Sequence, residues 1–179
     1  MRGGLDYWAS RLYEGMTLSQ IGDSFFDQPE TKALYTTITT ASSPEQLTTF
    51  INSIYNNVLN RDVDSGGLNY WLPELKSGQL TASTFILDII YGALASSGGP
   101  ADAVYLTNKE VVGSHFALTN GLTSITESHN VMNLFNSTYQ ASGTTAAVTA
   151  ANALSDQYLA DVATTPELVI DLVGIIGLV

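Results

Sequence analysis

The sequence predicts an all-α fold, a helical bundle built on a duplicated helix pair with further helices after it. Three observations carry this. Apolar residues recur at helical spacing through most of the chain, and helix-start residues stand in front of the clearest stripes. Strand-like alternation bounded by hairpin turns is absent, the nearest candidate being the Thr-rich stretch 35–40.

Taken in order, Leu5, Trp8, Ala9 and Leu12 fall at relative positions 0, 3, 4 and 7 and predict a helix closed by Gly15. Thr17 then caps a second helix carrying Ile21, Phe25 and Phe26. Ser43-Pro44-Glu45-Gln46 combines an N-cap serine, proline at the first helical position and glutamine three residues after the cap. Behind it Leu47, Phe50, Ile51, Ile54, Tyr55, Val58 and Leu59 form the most continuous apolar stripe of the chain. Leu68, Trp71, Leu72 and Leu75 return to the first spacing, and Thr81 caps a helix with Phe85, Ile86, Ile89, Ile90 and Ala93. Weaker patterns place helices at 103–119, 128–139 and 145–162, and Thr165-Pro166-Glu167 opens a terminal one. Its apolar run, 168–179, is interrupted by Asp171, Gly174 and Gly177. No stretch reaches the roughly 18 to 20 apolar residues that span a bilayer, so no transmembrane segment is expected. The opening MRGGLDYW has no apolar signal-peptide core.

The first part of the chain repeats itself. GLDYWASRLYEG at 4–15 matches GLNYWLPELKSG at 67–78 with an offset of 63, and Thr17 and Thr81 are equivalent caps if one residue is skipped. Ile21, Phe25 and Phe26 then correspond to Phe85, Ile89 and Ile90. The unit is a Trp-bearing helix, a glycine turn and a Thr-capped helix. One helix pair cannot bury its own stripe, so the copies are expected to pack on each other or on the 47–59 helix. Residues 1–97 form the duplicated region, and 98–179 an Ala- and Thr-rich helical region expected to pack with it as one unit. The glycine- or proline-containing breaks at 96–100 and 142–143 mark the joints. By the offset Met1 stands where Asp64 stands. The long helix and acidic turn before copy two have no counterpart before copy one, and the chain is expected to be cut from a longer polypeptide.

Composition removes several classes of partner. The chain has 179 residues, 17 acidic against 6 basic side chains and a formal net charge of −11. Nucleic acid and anionic membrane surfaces are excluded as partners, because phosphate affinity comes from clustered Lys and Arg. The absence of Cys removes disulfides, thiolate zinc sites, iron–sulfur clusters and a cysteine nucleophile. Charged residues make up 13% of the chain, against about 25% in average soluble proteins, so Thr, Ser, Asn, Gln, Ala and Gly must build the surface. That composition suits an exported bacterial surface protein.

Asp62-Val63-Asp64-Ser65-Gly66-Gly67 invites a calcium reading, since alternating carboxylates before a glycine turn can wrap a hard cation. As an EF-hand starting at Asp62 it fails, with Gly66 and Pro73 at positions that need a ligand and a bidentate Glu. The competing reading pairs Asp62 with Arg61 or a neighbour and makes Asp64 or Ser65 the cap of the Trp71 helix. Trp8 and Trp71 have leucines at helical spacing and are expected in the core. Tyr7 and Tyr70 point elsewhere on their helices and, with Asn69, are the candidates for facing a sugar. His115 and His129 lack any zinc spacing, and His115 is expected at a satisfied core or boundary position. Asn136-Ser137-Thr138 matches a glycosylation sequon by chance, and no hydrolase elbow, phosphate loop or dinucleotide fingerprint occurs.

The stretch IYNNVLNRDVDSGGLNYWLPELKSGQLT resembles the signature of the bacterial family catalogued as domain of unknown function 4214. The match falls on Tyr55, Val58, Leu59, Arg61, Asp62, Asp64, Gly67, Leu68, Tyr70, Trp71, Leu75, Gly78, Leu80 and Thr81, and copy one keeps only the half from Gly4 onward. The segment from Ala101 to about Gly121, with LTNKEVVGSHFALTNGL, is similar to the segment that comes after the signature in many secreted members. The resemblance implies a helical module of large surface and type-I-secreted proteins, including S-layer and adhesin-like chains. Related S-layer anchors hold lipopolysaccharide on a helical domain, and their lattices depend on calcium. A weaker likeness runs to phycobilisome linker domains. No catalytic residues come with the family. The expectation is a non-enzymatic, extracellular, cell-surface module acting in self-assembly or attachment through protein and glycan contacts, with Ca2+ bridging acidic surfaces. A secreted carbohydrate-binding or carbohydrate-active module is the alternative.

Overall fold

The computed structural model describes residues 4–35, 37–95 and 100–164. The predicted terminal helix from Thr165 lies outside them, as do Met1 and most of the 96–100 break. The regular structure of the described residues is helical, with no strand among them. The helices are α1 (Gly4–Tyr13), α2 (Leu18–Phe26), α3 (Pro29–Leu34), α4 (Pro44–Leu59), α5 (Ser65–Ser77), α6 (Ala82–Leu94), α7 (Pro100–Ser114), α8 (Ile125–Ser142) and α9 (Thr144–Thr164), with a π-helical turn at His115–Thr119. Thr17, Ser43 and Thr81 each close a capping box, their hydroxyls accepting from the backbone N–H three residues on while that residue's side chain returns to the cap N–H. Two features differ from the sequence pattern. The short α3 starts at Pro29 without a side-chain cap, and α8 begins three residues early because Ser124 accepts from the Glu127 N–H at 3.3 Å.

The described residues divide into two compact units, one from Gly4 to Leu106 and one that starts at Thr107. The division falls inside α7 rather than at the 96–100 break. Asp102 and Leu106 on the first turns of α7 are both tied to the first unit, by an ion pair and by packing on its core.

The first unit is organised on α4. Leu47, Ile51 and Ile54 on its stripe are fully buried and meet Leu75 of α5 and Phe85, Ile89 and Ala93 of α6. α2 and α6, the equivalent helices of the two copies, pack directly on each other. A Cβ on Gly22 would stand 3.2 Å from Ser83 Cβ, a tight contact that glycine relieves. The buried Ser83 hydroxyl donates to Asp23 across the contact. The copies share local geometry. Gly15 and Gly78 both have positive φ, at 97° and 76°, and the Tyr7–Trp8 and Tyr70–Trp71 rings meet edge-on at 80° and 77°. Each tryptophan is half-buried rather than fully enclosed, with the adjoining tyrosine ring set edge-on to it.

In the second unit α8 and α9 form a helical hairpin turned at Gly143. Ala147, Ala151 and Ser155 are fully buried on α9, small enough for α8 to bring Val131 and Phe135 into the same layer. His115 sits on the π turn and meets Asp156 of α9 through Nε2 at 2.6 Å, a satisfied boundary residue. Asn120 donates to both Asp156 at 2.9 Å and the buried Ser155 hydroxyl at 3.0 Å, so three hydrogen bonds clasp the π turn to α9. These bonds, Asn120's first and His115's second, hold the Asp156 carboxyl below its ordinary pKa. A depressed folded-state pKa gives stability that is present above the unfolded value and lost as pH falls through the folded one. Acid titration of Asp156→Asn is therefore expected to show a shallower loss of stability below about pH 4 than the parent, and coincident acid limbs would refute the clasp.

Candidate functional site

The residues that carry the family-like signature converge on the turn between α4 and α5. Asn60 ends α4 in the left-handed conformation, φ 55°, which asparagine tolerates better than other side chains. The chain then turns so that Asp62 Oδ1 accepts from Asn56 Nδ2 at 2.8 Å and the Val63 N–H donates to Asn52 Oδ1 at 3.2 Å. Asp64 starts α5 by accepting from the Gly67 N–H at 2.8 Å. A Cβ on Gly67 would meet Val63 Cγ2 at 2.9 Å and the Tyr55 hydroxyl at 3.1 Å, so glycine lets α5 close onto α4 here. The half-buried Trp71 indole N–H donates to the same Tyr55 hydroxyl at 2.7 Å.

Arg61 completes the arrangement. Its Nε and Nη2 donate to Asp102 Oδ1 and Oδ2 at 2.9 and 2.7 Å, a bidentate pair that closes 41 residues of chain. Nη1 donates to the Asp62 carbonyl at 3.1 Å, and the guanidinium lies 5.2 Å from the Tyr55 ring centre. The Asp102 bonds hold the guanidinium above its ordinary pKa, and burial does the same for the Tyr55 hydroxyl. Tyr55, Arg61, Asp62, Asp64 and Trp71 are thus each engaged with another part of the chain. The sequence pattern pairs Asp62 with Arg61 or a neighbour; the Asp62 carboxylate is taken by Asn56 and only its carbonyl by Arg61, whose two-pronged carboxylate partner is Asp102, for which the one sequence signal is an acid in the first turn of a helix.

The same commitments bear on calcium. Asp62 and Asp64 are each bonded within the turn, and no group of three or more His, Asp or Glu that could hold a metal gathers among the described residues. Calcium at Asp62 and Asp64 would therefore draw on carboxylates that each already accept one hydrogen bond within the turn.

Tyr7, Asn69 and Tyr70 lie on the surface, the two rings 53% and 61% exposed. The structure does not join them into one cleft; each tyrosine's ring partner is its own neighbouring tryptophan. Pro73, inside α5, has no N–H to give the Asn69 carbonyl, so Asn69 offers backbone and side-chain acceptors beside the Tyr70 ring. A separate apolar groove of about 290 Å³ opens between α2 and α6, lined by Leu18, Ile21, Phe25, Phe26, Ile86 and Leu87, with Tyr35 at its edge. The Tyr35 hydroxyl accepts from Asn57, and burial raises its pKa.

Residues 39–93 match the family described as domain of unknown function (DUF4214). Neither a curated protein nor a solved structure matches the chain. The matched stretch runs from the approach to α4 to the end of α6, which is copy two with the helix that covers it. Residues 39–93 are thus similar to the DUF4214 family, and the family-like residues of that stretch are the ones that tie α4, α5 and α7 together.

Proposed function

We propose that the chain is a non-enzymatic, extracellular scaffold and attachment module of a bacterial surface protein, working through protein contacts and through glycan or lipopolysaccharide. The observation that carries this reading is the engagement of the signature itself. Tyr55, Arg61, Asp62, Asp64 and Trp71 are bonded to one another or to neighbouring elements, which suits rigidity rather than proton transfer or nucleophilic attack. Beside the engaged signature, Asn69 and Tyr70 leave a polar and aromatic patch open for recognition. Tyr70 offers a ring on which an apolar sugar face can stack, and Asn69 offers an amide donor pair and two carbonyl acceptors. Calcium enters as a bridge between acidic surfaces of neighbouring copies at net charge −11, not as a ligand of a preformed cage.

Retention of the chain on immobilised lipopolysaccharide and on a glycan array is the test. Tyr70→Ala is expected to weaken retention at least about five-fold with unchanged melting temperature. Light scattering with and without millimolar calcium is expected to show larger assemblies with calcium. A chain that stays monomeric in both conditions and retains no glycan overturns the reading, and shortening of the offered oligosaccharides would move it to the carbohydrate-active class.

A further inference from the structure

The two copies of the repeat differ in what covers them. In copy two α4 lies on α5, Leu75 is 3% exposed, and Trp71 has Tyr55 of α4 as its acceptor. In copy one Leu12, the equivalent of Leu75, is 48% exposed, and Phe25, the equivalent of Ile89, is 45% exposed against 3%. Ala9, at the place of Leu72, is also exposed. Trp8 stacks on Phe25 with ring centres 4.6 Å apart, yet no acceptor among the described residues takes its indole N–H. Leu18 and Phe25 continue this face into the α2–α6 groove. Copy one shares the Thr cap, glycine turn and ring contact of copy two, but among the described residues no helix lies on its stripe as α4 lies on copy two's.

We infer that the face formed by Trp8, Leu12 and Phe25 docks one amphipathic helix of the α4 kind, supplied by another repeat unit, with a tyrosine hydroxyl accepting from Trp8. The chain's own second copy fixes the occupant, since it shows which helix completes an equivalent Trp helix and Thr-capped helix. A second copy of this chain does not supply it, because its α4 is spent in its own core, with Leu47, Ile51 and Ile54 fully buried. The inference deepens the scaffold reading and rests on it for the claim that protein contacts matter. It adds a partner and a geometry: another unit lends one helix to this one, a heterologous contact between two different surfaces.

The probe is a synthetic peptide of residues 43–64, titrated into the full chain at about 0.15 M salt, where long-range repulsion between the acidic partners is screened. Saturable binding with a change in tryptophan fluorescence is expected. Leu12→Asp, at a half-exposed site, is expected to leave circular dichroism and melting unchanged while weakening binding at least about ten-fold, because it places a charge under the docked helix. Trp8→Phe in the chain and Tyr55→Phe in the peptide are each expected to weaken binding about three-fold, and the two losses are expected not to add. No saturation up to roughly 1 mM peptide overturns the inference. So does binding indifferent to Leu12→Asp, which would mean that the peptide displaces the chain's own α4. Self-association of the chain alone, abolished by Leu12→Asp, overturns it by making a second copy the occupant. Glycan retention without peptide binding overturns the docking inference and leaves attachment standing; peptide binding without glycan retention removes glycan from the proposed function and keeps the docking.

Discussion

Leu75→Ala is expected to destabilise the first unit by about 3 kcal/mol, whereas Leu12→Ala, at the equivalent position of the repeat, changes stability by less than about 0.5 kcal/mol. The two leucines have the same spacing from their tryptophans and the same glycine turn after them. What differs is burial, 3% against 48%. Removing Leu75 leaves a cavity against α4, where Leu47, Ile51 and Ile54 are fully enclosed and cannot easily collapse. Removing Leu12 deletes surface that water already wets. For a unit of this size each kcal/mol corresponds to about 4–8 °C, so Leu75→Ala is expected to melt at least about 10 °C lower. Thermal melts followed by tryptophan fluorescence check both. Equal losses would mean that copy one is covered as fully as copy two, and the docking inference would go with that result.

That contrast also shows how far sequence reaches. The repeat, its caps and its glycine turns were legible because each depends on residues within four positions of one another: a hydroxyl and the N–H three residues on, or a glycine that accepts positive φ. The outward placement of Tyr7, Asn69 and Tyr70 was legible for the same reason, as helical phase assigns them away from the apolar stripe. The extent of burial was not, since identical stripes end in different surroundings and a stripe does not say what lies on it. The half-exposure of the tryptophans escaped for a related reason. Their leucine neighbours marked the correct face, but helical phase does not say how much of a large ring the adjacent elements cover. The division into units within α7 was likewise hidden, because it depends on Asp102 and Leu106 finding partners in the first unit.

The ion pair between Arg61 and Asp102 yields the second large effect. Asp102→Ala is expected to cost about 2 kcal/mol, and Arg61→Ala about 2–3 kcal/mol. The figures lie between those for exposed and buried pairs, because the Arg61 side chain is 39% exposed while Asp102 is 15% exposed. Asp102→Ala removes two short charge-assisted bonds and leaves the guanidinium with Asp64, 3.8 Å away, as its next carboxylate. Arg61→Ala removes more, since the contact with the Tyr55 ring and the bond to the Asp62 carbonyl go as well. Arg61→Lys keeps the charge but cannot reproduce the two-pronged geometry, and is expected to recover less than half of the loss. A double-mutant cycle is expected to give a coupling of at least about 1 kcal/mol that persists in 0.5 M salt. The exposed Arg11–Glu14 pair provides the contrast, with side chains 39% and 55% exposed, and its coupling is expected to vanish under the same conditions. If Arg61 is a tie between α4 and α7, Asp102→Ala also speeds hydrogen exchange in the first turns of α7 while leaving α8 and α9 unchanged. A negligible coupling, or glycan retention lost by Asp102→Ala with stability intact, would contradict the structural role given to the family signature and return Arg61 to the ligand-binding candidates.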